Sequence, residues 1–154
     1  MIIGLGTDIL ETARMARGMQ SQRFCSKIFT EGELMYCSNK PLESAAGLFA
    51  AKEAAVKAIG TGFTGFWPCD VEIIHDANEK PMVHPLGVFK EICDSKQVIF
   101  QISISHTKDF VIAAAVAERD TYESRFKPAN AKYRSGSRRR NRAAHFNYDG
   151  KRGN

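Results

Sequence analysis

The sequence predicts an α+β domain, a small antiparallel sheet packed with a long helix, and three features carry that expectation. An alanine-rich run from about Leu42 to Ile59 reads as one long helix. Two apolar runs, Gln97 to Thr107 and Phe110 to Glu118, flank Thr107-Lys108-Asp109 as strands flank a hairpin turn. The chain also opens on an apolar stretch, MIIGLG, with the look of a buried strand.

Taken in order, Met1 to Thr7 is that first strand, and Ile9 to Met19 reads as a helix with Leu10 and Arg14 on neighbouring turns. Asp8 stands at the junction, where a carboxylate either caps the helix that follows or, if buried, needs a partner. Gly4-x-Gly6 looks like the start of a dinucleotide loop, but Ile9 occupies the place of the third glycine, which argues against a Rossmann fold. Thr30 followed by Glu33 has the capping-box pattern and opens a short helix. Gly60 closes the long helix, and Gly60-Thr61-Gly62 with Gly65 makes a loop that ends at Pro68. A strand at Asp70 to Ile74 and a helix at about Pro85 to Cys93 precede the hairpin. Strand parity sets His106 on the apolar face made by Val98, Phe100, Ile102 and Ile104. On the long helix Phe49, Glu53 and Lys57 share a face, and the pattern alone makes Glu53 and Lys57 an exposed pair worth about 0.3–0.5 kcal/mol.

At 154 residues and 44% hydrophobic, the chain can bury one sizeable core. The net charge of +5 is unevenly placed. Residues 1–118 hold 11 Lys+Arg against 14 Asp+Glu, a net of −3, while residues 119–154 hold 11 against 3, a net of +8. A domain over 1–118 followed by a basic, flexible tail over 119–154 is therefore expected, since RSGSRRRNR cannot bury enough apolar surface to offset chain entropy. Cys25, Cys37, Cys69 and Cys93 form no C-x-x-C pair, so neither a zinc site nor a disulfide framework is supported. The N-terminal stretch lacks a charged lead and a cleavage site, and no run approaches the roughly 18 apolar residues that span a bilayer. A cytoplasmic protein without membrane contact is expected.

Three motifs in this order carry a family resemblance: Gly6-Thr7-Asp8-Ile9-Leu10-Glu11, Phe49 to Ala58 (FAAKEAAVKA), and Ser103 to Thr107 (SISHT). Together they resemble the holo-acyl-carrier-protein synthases, the small 4′-phosphopantetheinyl transferases, over about Met1 to Glu118. The resemblance implies a phosphopantetheinyl-transferase-like fold that assembles as a homotrimer. It implies transfer of the 4′-phosphopantetheine arm from coenzyme A to a serine of an apo-acyl carrier protein, with release of 3′,5′-ADP, as in fatty-acid biosynthesis. In that reading Asp8 and Glu53 hold Mg²⁺, and Lys57 neutralises phosphate charge. Lys57, Gly60, Gly62, His106 and Thr107 bind coenzyme A, and Arg14, Arg17 and Arg23 dock the acidic carrier. The general base is left between Glu53 and a metal-bound water held by Asp8. Asp8 and His106 are expected to serve a site from a different subunit than Glu53 and Lys57, or to be completed by a neighbour. Two departures stand out: Leu48 where the family commonly has arginine, and Glu79 where glycine is usual. A rival reading, nucleic-acid binding, rests on Arg138, Arg139, Arg140 and Arg142 with Tyr133, Phe146 and Tyr148 interleaved, and explains only the tail.

Overall fold

The computed structural model describes residues 1–120, which form two small antiparallel sheets and five helices. Strand β1 (Ile2–Glu11) leads into α1 (Thr12–Met19), α2 (Gln22–Ile28), α3 (Glu31–Cys37) and the long α4 (Leu42–Ile59). A hairpin of β2 (Val71–His75) and β3 (Pro81–Pro85) follows, then α5 (Gly87–Lys96) and the closing hairpin of β4 (Val98–His106) and β5 (Phe110–Arg119). The larger sheet has the order β1-β5-β4, and β2-β3 make the second.

The inner face of the larger sheet is built for close contact with α4. Ala50, Ala51, Ala54 and Ala55 of the helix are buried, as are Ala113, Ala115 and Ala117 of β5. Small residues on both surfaces let the two backbones approach. At Gly4 a Cβ would stand 2.1 Å from the Ala58 carbonyl oxygen, and at Gly6 2.1 Å from that of Ala54. Only glycine leaves room for that approach.

A buried ion pair ties the remaining elements to α4. The Lys52 ammonium donates to Glu33 Oε2 (2.7 Å), to the Ile28 carbonyl (2.7 Å) and to the Pro68 carbonyl (3.0 Å), which uses all three of its protons. Glu33 also accepts from the Thr30 amide (2.8 Å) and the Ile73 amide (2.8 Å), so one carboxylate joins α3, α4 and β2. Burial pushes the Glu33 carboxyl up and the Lys52 ammonium down, and the attraction between them opposes both shifts. The complete set of hydrogen bonds favours the charged pair.

The expected long helix, its Gly60 cap and the Thr30-Glu33 capping box all form. The first helix begins later than expected. Ile9, Leu10 and Glu11 continue β1 because they pair with Ile112, Val111 and Phe110, so cross-strand bonding outweighs the local helical pattern. The helix α2 and strand β3 were not expected. Pro81 and Pro85 bound β3, and proline without an amide proton hides an edge strand from sequence reading. The predicted basic tail lies outside the described residues, apart from Arg119, which ends β5, and Asp120, whose amide donates to the Gln97 carbonyl.

Substituting Lys52→Met should strand the Glu33 charge and cost about 3–5 kcal/mol in urea unfolding at pH 7. The cost should shrink as the pH falls and Glu33 takes up a proton. A loss below about 1 kcal/mol would show the pair to be dispensable.

Candidate active site

The close packing of α4 on β1 sets two carboxylates and an ammonium together. Asp8 lies on the inner face of β1, in register with Ala113 of β5, and emerges beside the last turns of α4. Gly6 leaves only 2.9 Å between its hypothetical Cβ and Lys57 Cβ, so the lysine side chain starts directly against the strand. Its ammonium donates to Asp8 Oδ1 (2.8 Å) and to the Thr7 carbonyl (3.2 Å). The Lys57 side chain is 48% exposed and that of Asp8 15%, so the pair borders solvent.

Glu53, one turn before Lys57, completes the group. Burial pushes its carboxyl up, the negative charge of Asp8 adds to that, and Lys57 and Arg14 pull the other way. The helical pattern alone pairs Lys57 with Glu53; the structure instead gives Lys57 to Asp8, because the strand carboxylate is held against the lysine by the backbone contact.

Asp8 and Glu53 are hard oxygen donors, and the negative charge of Asp8 raises the Glu53 carboxyl, a repulsion that a divalent cation would relieve. No group of three or more His, Cys, Asp or Glu stands in a metal-holding arrangement among the described residues. A two-carboxylate set still suits Mg²⁺, which keeps waters and substrate phosphate oxygens in its other positions.

Beyond the Gly60 cap the chain turns through left-handed residues, Gly60 at φ 81° and Gly62 at φ 58°, with nothing within 4 Å of a hypothetical Cβ at either. That backbone is open to a ligand. His106 ends β4 and is exposed, while Thr107 is occupied by the hairpin turn, its amide donating to the Phe110 carbonyl (2.8 Å) and its Oγ1 accepting from the Phe110 amide (3.2 Å).

His106 does not join the acidic pair. It borders a cleft of about 460 Å³ shared with Ser44 and Leu48 of α4 and with His75, Glu79 and Lys80 around the β2–β3 turn. At 100° per residue, Ser44 and Leu48 face about 180° away from Glu53 and Lys57. The two groups therefore occupy opposite flanks of α4. Within one chain, Asp8 meets Lys57, and His106 stands apart from both. Leu48 is itself buried and gives the cleft an apolar wall.

Arg14, Arg17 and Arg23 are all exposed on α1 and α2. Beside them lies a feature that sequence reading missed, an apolar hollow of about 570 Å³ lined by Phe24, Ile28, Phe63, Phe66 and Trp67. The Lys27 ammonium sits 4.1 Å above the Trp67 ring there. The aromatic spacing of Phe63, Phe66 and Trp67 directly after the glycine loop was its available signal.

Comparison with known proteins places this fold in a family. Residues 4–115 match the 4′-phosphopantetheinyl transferase superfamily. The holo-[acyl-carrier-protein] synthase of Protochlamydia amoebophila (strain UWE25) is 43% identical over 121 residues, covering 75% of this chain and 98% of that protein. The crystal structure of holo-[acyl-carrier-protein] synthase from Neisseria meningitidis aligns with a TM-score of 0.71 at 35% identity, covering 77% of this chain and 100% of that one. A holo-(acyl-carrier-protein) synthase from Bacillus anthracis str. Ames, solved in complex with CoA (3′,5′-ADP), aligns with a TM-score of 0.66 at 34% identity over 78% of this chain and 99% of that one. The fold and the family match thus define a phosphopantetheinyl transferase. Within that superfamily the chain belongs to the holo-[acyl-carrier-protein] synthases.

Substituting Gly6→Ala would set a methyl group against the Ala54 carbonyl and the Lys57 stem. Thermal unfolding should show a loss of about 1–3 kcal/mol as α4 is pushed off β1. An unchanged melting temperature would mean that the helix backbone is free to retreat.

Proposed function

We propose that the chain transfers 4′-phosphopantetheine from coenzyme A to a serine of an apo-acyl carrier protein, with Mg²⁺, and releases 3′,5′-ADP. The observation that supports it most is the 2.8 Å contact of Lys57 with Asp8, one helical turn from Glu53. In the reaction the serine oxygen bonds to the β-phosphorus and the pyrophosphate bridge breaks, so charge grows on the departing phosphate. Mg²⁺ held by Asp8 and Glu53 would polarise the pyrophosphate. Lys57, half exposed, can turn from Asp8 to that phosphate and stabilise the developing charge. The serine proton passes to Glu53 or to a water that Asp8 holds, both part of the same carboxylate pair. The open backbone at Gly60 and Gly62 leaves room for phosphate oxygens to approach, and His106 with Thr107 faces the nucleotide end.

A homotrimer belongs to this proposal. On the outer face of the larger sheet Leu5, Ile9, Ile112 and Phe110 are 67%, 66%, 48% and 47% exposed, an apolar surface that a second copy would cover. Because the acidic group and the His106 cleft lie on opposite flanks of α4, a complete site needs one flank from each of two protomers. The four cysteines are free, no helix among the described residues is long and apolar enough to cross a membrane, and a cytoplasmic setting suits the proposal. The transferase domain is placed at 1–118 with the basic segment 119–154 outside it, and nucleic-acid binding by that segment remains separate from the transfer.

Mass spectrometry of apo-carrier incubated with coenzyme A should show one added phosphopantetheine group per carrier, lost when Mg²⁺ is chelated. Asp8→Asn and Glu53→Gln should each cut turnover at least about 100-fold with the fold intact. Near-normal Mg²⁺-dependent transfer by both variants would remove these residues from the metal site.

Exposed arginines on α1 and α2 are placed to meet an acidic carrier. Arg14 also acts on Glu53, so Arg23 gives the cleaner variant. Arg23→Glu should raise KM for the carrier and flatten its salt dependence while leaving KM for coenzyme A unchanged. An unaltered carrier KM would mean that Arg23 is simply solvated.

A further inference from the structure

The β2–β3 turn holds Glu79 at φ 59°, the left-handed region that glycine enters freely and other residues enter at a cost. Nothing in the turn itself requires the Glu79 side chain. Asp76 Oδ1 accepts from the Asn78 amide (2.8 Å) and the Lys80 amide (2.9 Å), and the Asp76 amide donates to the Lys80 carbonyl (3.1 Å). Glycine would close the same turn with less strain. A strained non-glycine residue points to work done by its side chain elsewhere.

That side chain reaches across to α3 and the segment before α4. Glu79 Oε2 accepts from the Lys40 ammonium (3.3 Å) and from the Tyr36 hydroxyl (3.3 Å). The Lys40 ammonium also lies 3.9 Å above the Tyr36 ring, and that ring stacks on His75 with 4.2 Å between centroids. Tyr36, His75 and Glu79 all border the His106 cleft. One carboxylate therefore holds a lysine against two residues of the cleft wall, Tyr36 and Glu79 itself, and cancels its charge. The pair is loose, with 35% of the Lys40 side chain and 69% of that of Glu79 exposed, so an incoming anion can compete for the lysine.

We propose that Glu79 is a specificity-determining residue of the cleft: it keeps Lys40 paired, and so weakens discrimination between a nucleotide carrying an extra phosphate and one without it. This rests on the reading that the cleft receives the nucleotide end of coenzyme A. Glu79 acts through Lys40, so it is a positioning residue, and its removal frees a cation for the phosphate. Because surface pairs are weak, the effect is modest.

Titration calorimetry of the full chain in Mg²⁺ buffer, with 3′,5′-ADP and with 5′-AMP as separate probes, tests this. Glu79→Gln should tighten 3′,5′-ADP about two- to five-fold and leave AMP unchanged. The double variant Lys40→Met/Glu79→Gln should lose that gain. An equal change for both nucleotides, no change for either, or a gain that survives without Lys40 would overturn the proposal. Failure of the unaltered protein to bind 3′,5′-ADP at all would instead overturn the functional reading, and this inference with it.

Discussion

At Gly6 the carbonyl oxygen of Ala54 stands 2.1 Å from where a Cβ would be, and at Gly4 that of Ala58 stands equally close. The distance between strand and helix is set there, and the site follows from it. A helix held one methyl group further out would carry Lys57 away from Asp8 and leave the strand carboxylate without its cation. The alanines of α4 and β5 are the complement of the two glycines, since larger side chains on either surface would hold the layers apart. The buried Lys52–Glu33 pair anchors the other side of the same helix. The helix α4 thus carries a structural lysine inward at Lys52 and, five residues on, a solvent-bordering lysine against Asp8.

The helix also divides the molecule's chemistry. Its later turns present Glu53 and Lys57 to Asp8, and its earlier turns present Ser44 and Leu48 to the His106 cleft. In the proposed reading, the pyrophosphate and the nucleoside of one ligand are met by flanks of two different copies of α4. The apolar outer face of the sheet supplies a physical reason for a second chain to be present, and the proposed assembly is one that sets a His106 cleft beside each acidic group. The Leu48 departure fits an apolar cleft wall, while Glu79, on the same cleft, pairs with Lys40.

Much of this was legible in the residues. The alanine run, the Gly60 cap, the capping box and the last hairpin are local signals, and local signals survive folding when packing agrees with them. The continuation of β1 through Glu11 was not legible, because Ile9 to Glu11 read as helix until their partners 100 residues away are known. Strand β3 was hidden by its two prolines. In the site, Asp8, Glu53 and Lys57 were found through their motif context rather than their spacing, since spacing alone joined Lys57 to Glu53. The Glu79–Lys40–Tyr36 cluster was only half visible: Glu79 registered as a departure, but its partners are 39 and 43 residues away in sequence and no pattern connects them.

Complementation between two impaired variants tests the divided site most directly. Asp8→Asn removes the acidic flank and His106→Ala the cleft flank, each throughout a homo-oligomer. When the two are co-expressed and purified as a mixed assembly, some interfaces join an intact acidic flank to an intact cleft. Transfer to the carrier should then rise well above the average of the two separate preparations. Activity that stays at that average would mean that each chain works alone, and would contradict a site shared across the two flanks of α4.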